Sequence, residues 1–175
     1  MNNSLPRPGS TLYGFHFKGT DQKKKKLRSW QKLNKCIVIP LYRSGLFSLF
    51  GFGRYILLLT TTNEQGRKRR TPLEYRSWND KTLIYSAMGE KSAWVKNLHT
   101  RPETVRVRRG FSTYRPFIRF INSEKTKIEI LKWYVQNFGM SAKIFFGWDP
   151  KKDDVESVDF SRLANLLSIF ILERK

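Results

Sequence analysis

The stretch that most restricts the fold of this chain is a predicted β-hairpin in its first half. The segment YILLLTTT (55–62) is mostly apolar and ends in β-branched residues, and TPLEYRSW (71–78) returns after a turn centred on Gly66. A third predicted strand, TLIYS (82–86), follows closely. Strands in direct succession, with no helix between them, indicate antiparallel pairing and not a parallel βαβ sheet.

The remaining segments predict further strands and several helices. TVRVRR (104–109) alternates apolar and cationic residues as a half-exposed strand does, and YRPFIRFI (114–121) forms a strand that Pro116 places at an edge or a bulge. The last strand is SIFILER (168–174). Helices are predicted over 29–40, where Pro40 ends the run, and over 41–50, 92–99, 123–139 and 159–167. This order predicts an α+β, mainly β fold, a small antiparallel barrel with packed helices.

The length of 175 residues corresponds to about one domain. Residues 1–28 contain prolines and the cationic run Lys23 to Lys26 without apolar periodicity, which predicts a flexible basic N-terminal arm ahead of a single domain at 29–175. The longest apolar stretch, 45–59, contains Arg54 and is too short to span a bilayer. With no secretory signal pattern at the start, we expect a cytoplasmic protein.

The net charge is the outlier of the composition. There are 34 Lys and Arg against 14 Asp and Glu, a net charge of +20, which favours a polyanionic partner: nucleic acid, an anionic membrane, or a small cofactor that carries phosphate and carboxylates. The single Cys36 excludes an internal disulfide, and with only two histidines besides it a zinc site is not expected. No Walker loop or Rossmann fingerprint is present, so any redox chemistry is expected to come from a bound cofactor.

Several segments together resemble a known family. LLLTTT (57–62), the cationic glycine turn, RTPLEY (70–75) and SAMGEKSAWVKNL (86–98) are similar to the deazaflavin-dependent nitroreductase family, which includes the deazaflavin-dependent quinone reductases. The resemblance runs from about Pro40 to Arg109. It implies a split β-barrel of the FMN-binding type that binds coenzyme F-420, an 8-hydroxy-5-deazaflavin, and transfers hydride to a small-molecule acceptor such as a quinone, nitro or unsaturated compound. FMN is the second expected cofactor.

In that family a hairpin loop of the Gly-Arg-Lys-Ser-Gly type binds the phosphate and glutamate tail of the cofactor. The loop of this chain is one residue shorter, which leaves two placements. Gln65 and Gly66 fall in the tail-binding turn with Arg69 and Arg70 at the later basic positions, or Gly66, Arg67 and Lys68 match the family's Gly-Arg-Lys. Planar guanidinium groups and backbone N–H groups at a glycine turn suit such an anion in either placement. A solvated hairpin tip is the alternative interpretation of the same cations.

The resemblance also implies a pocket for the ring system and a position for the acceptor. The implied cofactor-binding residues, besides those of the loop, are Pro72, Tyr85, Ser86, Ala87, Met88, Lys91, Ala93, Trp94, Lys96 and Asn97. Where the family often has a lysine directly after the serine, this chain has Ala87, and Lys91 is the expected substitute. Trp94 is expected to pack in the core as well. The catalytic residues are unknown, and Tyr134 is a weak candidate. With Trp133 and Phe138 it could form a wall for the acceptor, although the helical spacing of the three favours core packing.

Two interpretations from other classes compete with a reductase. The charge and the interleaved aromatics of GFSTYRPFIRF (110–120) would suit a nucleic-acid-binding barrel, although the segment lacks an RNP1 pattern. The same fold could also carry haem or another flat ligand without catalysis. Peripheral contact with an anionic membrane is compatible with the charge. We expect a monomer or a homodimer, since edge strands can pair across a dimer.

Overall fold

A single curled antiparallel sheet forms the centre of the molecule in the computed structural model, which describes residues 3–19, 21, 28–29, 31–46 and 54–174. Within these residues the sheet has seven strands, in the order β5-β4-β1-β2-β3-β7-β6. The strands are β1 (Ile56–Thr62), β2 (Lys68–Trp78), β3 (Lys81–Ser86), β4 (Arg106–Arg109), β5 (Ser112–Tyr114), β6 (Pro116–Ile121) and β7 (Ser168–Arg174).

The predicted hairpin is confirmed as β1 and β2. The two strands pair so that Thr60 lies opposite Arg70 and Thr62 opposite Lys68. At the turn, the Gly66 N–H donates to the Asn63 carbonyl at 3.0 Å, and Gly66 has a φ of 76°, a conformation that glycine adopts without strain. The sequence pattern therefore correctly predicted two paired strands joined by a turn at Gly66.

The two edge strands of the curled sheet are consecutive in the chain, which brings the two ends of the sheet next to each other. β5 and β6 lie at opposite ends of the strand order, yet only Arg115 separates them. From β7, the Arg174 side chain donates to Ser112 Oγ at 2.6 Å and its guanidinium lies 4.7 Å from the Tyr114 ring centre. The predicted strand 114–121 is thus divided at Pro116, which begins edge strand β6. The expected antiparallel barrel with packed helices is confirmed.

Apolar residues fill both faces of the central strands. Leu57, Leu59 and Ile84 point into the barrel, where α3 (Ala93–Thr100) packs against them. On the outer face, Leu83 and Ile171 contact a layer of helices: α1 (Thr11–His16), α4 (Glu124–Asn137), α5 (Gly139–Phe146) and α6 (Ser161–Leu166). Because β7 is covered on both faces, its run of buried apolar residues shows no alternation.

The helical predictions after the sheet are confirmed with one omission. Ser123 Oγ accepts from the Thr126 N–H and caps α4, as its position before the apolar run predicts. α6 forms within the predicted range, and α3 begins and ends one residue later than the predicted 92–99. The sequence pattern did not predict α5, because Gly139 was taken as the end of a helix and instead begins the next one.

The predicted flexible arm does not hold for residues 3–19. Leu5 and Leu12 are fully buried among the outer helices, and Arg7 forms an ion pair with Asp153 at 2.7 Å. These contacts anchor the segment to the domain, since burial of apolar side chains stabilises it there. The lysine run at 23–26 lies outside the described residues, and the domain boundary at residue 28 stays a prediction.

Pro40 does not end the helix before it, contrary to prediction. A π-helical turn, Asn34–Val38, continues directly into α2 (Ile39–Arg43). Pro40 falls in the first turn of α2, where a missing N–H costs least. The expected apolar face is also not packed, since Leu33 and Ile37 are exposed. Most of the predicted helix over 41–50 beyond α2 lies outside the described residues, and none of the described helices is long and apolar enough to cross a membrane.

Candidate cofactor site

A cleft of about 590 Å³ lies between the hairpin, the helical segment 34–43 and the first half of α3, and we call it the hairpin cleft. Cations dominate its lining, with a few small or amide side chains beside them. The residues that line it are Lys35, Ile39, Asn63, Arg67, Lys68, Arg69, Arg70, Ala93 and Asn97. No acidic residue is among them.

Hydrogen bonds within the chain hold the shape of this cleft. Asn63 ties the tip: its Oδ1 accepts from the Arg67 N–H at 2.8 Å, and its own N–H donates to the Arg67 carbonyl at 3.0 Å. Asn97 Nδ2 donates to Thr61 Oγ1 at 3.0 Å, with both residues buried. Thr61, the middle one of three threonines at the end of β1, therefore connects the hairpin to α3. This connection fixes the strand that leads to the cationic turn.

The cations of the hairpin cleft have no ion-pair partner among the residues that the structure describes. Among the ion pairs of the described residues, none includes Lys35 or any member of the run Arg67 to Arg70. Like charges gathered without counter-charges repel one another and raise the local affinity for anions. The cleft is consequently suited to a ligand that carries several negative charges.

Six of the residues predicted to bind a cofactor meet in the hairpin cleft, and others lie nearby. The six are Arg67, Lys68, Arg69, Arg70, Ala93 and Asn97. Gln65 and Gly66 are in the turn itself, and Lys96 is exposed on α3. Pro72 lies opposite Leu58 in the sheet, on the face that carries Arg70. The cations and the start of α3 thus line one cleft.

The predicted ring-binding residues at the end of β3 are held by hydrogen bonds within the chain. The buried Ser86 donates to the Gly89 carbonyl at 3.1 Å, and its Oγ lies 2.6 Å from Ser92 Oγ, one residue before α3. The Ala87 carbonyl accepts from His16 Nε2 at 2.7 Å. Met88 and Lys91 are joined by a backbone hydrogen bond in a 3-10 turn. This segment is a defined edge next to α3, although no residue of it lines the hairpin cleft.

Tyr85 and Tyr134 meet on the outer face of the sheet, in a buried polar cluster with Glu74 and Arg76. The Tyr85 hydroxyl donates to Glu74 Oε2 at 2.7 Å, and the Tyr134 hydroxyl donates to Glu74 Oε1 at 3.0 Å. Arg76 forms an ion pair with the same carboxylate. Burial raises the pKa of Tyr134 to about 12 and the pKa of Tyr85 well above its usual value, so both tyrosines are neutral donors at pH 7.

Trp94 has the packing role that the sequence predicted. Its ring is nearly fully buried in the barrel and lies 5.3 Å from the ring of Phe170. A residue fixed in this way orients α3, and with it Ala93 and Asn97 at the wall of the hairpin cleft.

Two further clefts adjoin the hairpin cleft and contain residues that the sequence did not single out. The first, of about 680 Å³, is lined by Lys35, Ile39, Pro40, Arg43, Ser44 and Arg70, and we call it the bridge cleft. The second, of about 220 Å³, is lined by Arg43, Leu58, Thr60, Arg70, Arg106, Arg108 and Thr113, and we call it the arginine cleft. A signal was present in TVRVRR, where cations at every second position predict one cationic face of a strand.

A comparison with models of protein families identifies the chain. Residues 47–135, just over half of its length, match the model described as F420H(2)-dependent quinone reductase. The chain belongs to this family. Membership makes the protein an oxidoreductase with coenzyme F-420 as its cofactor, and the family resemblance drawn from the sequence segments is confirmed.

Comparisons with individual proteins give more distant similarities. The solved structure of the F420-H2 dependent reductase FDR-A is 26% identical, covers 69% of this chain and 95% of its own, and has a TM-score of 0.45. ChuZ of Campylobacter jejuni is 15% identical, and the match covers 75% of this chain and 54% of ChuZ, with a TM-score of 0.49. HutZ, the haem storage protein of Vibrio cholerae, is 14% identical, and the match covers 73% of this chain and 88% of HutZ, with a TM-score of 0.46. A search of curated proteins found no match.

Proposed function

We propose that this protein holds reduced coenzyme F-420 by its anionic tail in the hairpin cleft and reduces a quinone or a similar unsaturated acceptor. The observation that carries the proposal is the convergence of Arg67 to Arg70 and the start of α3 on one cleft without an acidic residue in its lining. The cofactor carries a phosphate and carboxylates on its tail, and guanidinium groups bind both in a planar, two-point manner.

The lining of the hairpin cleft fits the tail of this cofactor, and the adjoining segment fits the ring. Lys35 and the run Arg67 to Arg70 line the cleft, and none of these five cations forms an ion pair within the described ranges. Ser86 to Met88 present a hydrogen-bonded edge one turn before α3. We place the ring system against this edge, because backbone groups there are held by the chain and are preorganised for a planar ligand. Lys91, four residues beyond Ala87, is the proposed substitute for the lysine that the family often has.

The bound cofactor supplies a hydride from its central ring. The contribution of the chain is to bind the tail, to fix the ring and to let the acceptor stack in reach, since orientation alone accounts for much of such a rate enhancement. We assign Tyr134 a positioning role. Its hydroxyl donates to Glu74 and its side chain is buried, so in this proposal it donates no proton to the substrate. Its ring packs against the Phe138 ring, with 5.3 Å between the ring centres, and helps to hold that ring in place.

Binding of coenzyme F-420 to the purified protein, followed by fluorescence, tests the proposal. We expect saturable binding that weakens as salt is raised, because several charge pairs form at an exposed cleft. Arg69→Ala combined with Arg70→Ala should weaken binding at least about tenfold, since each lost charge-assisted hydrogen bond contributes about 1.5 kcal/mol or more. Its effect on stability should be small.

The matched control is Arg115→Ala with Arg119→Ala, which removes the same charge from exposed positions that line none of the three clefts. It should leave affinity within about twofold. Equal affinity of the Arg69/Arg70 variant and the natural protein for F-420 would contradict the proposal and support the alternative that these arginines form only a solvated hairpin tip. Binding of an oligonucleotide at physiological salt, without binding of F-420 or FMN, would instead support the nucleic-acid interpretation. Gel filtration of the same samples distinguishes a monomer from a homodimer.

A further inference from the structure

The N-terminal segment contacts the chain directly after β3. Nε2 of His16, the last residue of α1, lies 2.7 Å from the Ala87 carbonyl oxygen. A carbonyl oxygen only accepts hydrogen bonds, so Nε2 carries a proton and donates it. His16 lies outside the residues 47–135 that match the family model, so its role does not follow from that match.

The helix that carries His16 is anchored before and after this residue. Ser10 caps α1, and Leu12 is fully buried against the outer helices. Directly after the helix, the Phe17 ring centre lies 4.0 Å from the guanidinium of Arg162. Because the segment is held at both ends, the imidazole of His16 has a fixed position relative to the end of β3.

Residues 86–92 are also held on the side of β7 and α6. Gly89 packs so closely that a Cβ atom there would lie 2.8 Å from the Leu166 carbonyl oxygen. Next to it, Glu90 Oε1 accepts from Ser168 Oγ at 2.5 Å. The segment is therefore fixed from two directions, by β7 and α6 on one side and by α1 on the other.

The peptide group between Ala87 and Met88 transmits the contact with His16. This group is trans and planar, so a carbonyl that is fixed towards His16 leaves the Met88 N–H fixed in the opposite direction. The Met88 carbonyl accepts from the Lys91 N–H, but the Met88 N–H has no hydrogen-bond partner in the part of the chain that the structure describes. An N–H group of fixed direction is available to an acceptor atom of a ligand.

We propose that His16 is a positioning residue for the ring of the cofactor. By holding the Ala87 carbonyl it fixes the Met88 N–H, which donates to a carbonyl oxygen at the pyrimidine edge of the deazaflavin. The proposal rests on the proposed function, because the ring must lie against residues 86–88 for this hydrogen bond to form. Loss of the His16 side chain should therefore weaken binding of the ring and leave binding of the tail unchanged.

The test measures the dissociation constants of two ligands by their fluorescence. One is complete F-420, and the other is the same deazaflavin with its ribityl chain but without phosphate or glutamates, which we call the tail-less form. His16→Ala should weaken binding of both by about fivefold, as expected for one hydrogen bond whose donor loses its orientation. His16→Gln should stay within about twofold of the natural protein for both ligands, because Nε2 of glutamine also donates.

Two further variants separate the ring from the tail and the contact from the segment. Arg7→Gln removes the ion pair with Asp153, an anchor of the same segment, and should leave both dissociation constants within about twofold. Arg69→Ala with Arg70→Ala should give the opposite pattern to His16→Ala across the two ligands. It should weaken binding of complete F-420 and leave binding of the tail-less form unchanged.

Unchanged affinity of His16→Ala for both ligands would overturn the inference and leave the proposed function intact. The same holds if His16→Gln does not restore affinity, or if Arg7→Gln weakens binding as much as His16→Ala, since the histidine would then only anchor the segment. Binding of complete F-420 without any binding of the tail-less form would also overturn it, because residues 86–88 would then not hold the ring. If the natural protein binds neither ligand, the proposed function fails as well.

Discussion

The outer face of β2 carries two arginines in opposite electrostatic surroundings. Arg76 is largely buried, forms an ion pair with Glu74, and has its guanidinium 4.5 Å from the Phe138 ring centre. Arg70 lies six residues earlier on the same face and is exposed. It lines the hairpin cleft, the bridge cleft and the arginine cleft, and it has no carboxylate partner among the described residues. One strand thus holds both a neutralised cation and an unneutralised one.

The difference separates a structural charge from a charge available to a ligand. A cation that is removed from water requires a counter-charge and hydrogen bonds. Glu74 supplies the counter-charge for Arg76 and is itself held by the hydroxyls of Tyr85 and Tyr134, while the Arg76 guanidinium donates to the Tyr75 carbonyl. A cation that stays in water needs no such partner and can keep its binding capacity for a ligand. Changes at the Arg76 end should therefore affect stability, and changes at the Arg70 end should affect binding.

The largest expected effect follows removal of the carboxylate at the buried end. Glu74→Ala should lower the free energy of unfolding by about 3 kcal/mol, because Arg76 would remain buried without a counter-charge. Chemical denaturation measures this. Glu64→Ala removes a carboxylate from the exposed hairpin tip and should change stability by less than about 0.5 kcal/mol. Comparable losses in the two variants would contradict a special role for the Glu74 cluster.

Alkaline pH should lower the stability of the protein through Tyr134, which belongs to the same cluster. The pKa of Tyr134 is raised from 10.0 to about 12 by burial, so at high pH the unfolded chain releases this proton before the folded protein does. Stability is therefore fully present below pH 10 and falls as the pH rises from 10 towards 12. Denaturation curves between about pH 10 and pH 12 measure how steeply the free energy of unfolding falls with pH, and this fall should be shallower in Tyr134→Phe. An unchanged slope in that variant would exclude Tyr134 as its source.

Loss of one hydroxyl from the cluster should have a smaller effect. Tyr85→Phe removes a 2.7 Å hydrogen bond to the Glu74 carboxylate and should cost about 1.5 kcal/mol of stability. Tyr55→Phe is the control, since Tyr55 is 58% exposed and its ring would still lie beside Arg76. Thermal unfolding of the two variants compares them directly. If both lose the same stability, the hydrogen bond to Glu74 contributes nothing specific.

The smallest expected effect on stability belongs to Arg70. Arg70→Gln should change the free energy of unfolding by no more than about 0.5 kcal/mol, and at low salt the variant should be slightly more stable, because repulsion from Arg106 is relieved. The melting temperature at low and high ionic strength measures both points. A loss of stability similar to that of Glu74→Ala would remove the distinction between the two ends of β2.

The strands and their turns were largely predictable, because local sequence determines them. Gly66 supplied the positive φ of the hairpin turn, and the predicted bounds of β7, Ser168–Arg174, are those in the structure. Pro40 was misinterpreted because a proline is tolerated in the first turn of α2. Burial of Leu5 and Leu12 was not predictable, since their partners lie in helices more than a hundred residues away and no periodicity marks them.

The candidate site was predictable only where consecutive residues share a surface. Arg67 to Arg70 were expected to act together, and they do line one cleft. Tyr85 and Ser86 were assigned to one pocket, but alternate residues of a strand point to opposite faces, so Tyr85 joins Glu74 while Ser86 points towards α3. The arginine cleft depends on the pairing of β1, β2, β4 and β5 and on α2. The alternation in TVRVRR predicts the cationic face of β4, but no local pattern shows that Arg43 and Arg70 meet it.

A single residue, Arg115, connects the two edge strands β5 and β6. Since Arg115 alone joins the two edges of the sheet, the chain itself keeps them adjacent, and β6 is fixed to β7 by six residue pairs. β5 is likewise fixed to β4 by three residue pairs. Each edge strand is therefore held to its own neighbour by hydrogen bonds, while the two edges are held to each other by a covalent link at Arg115.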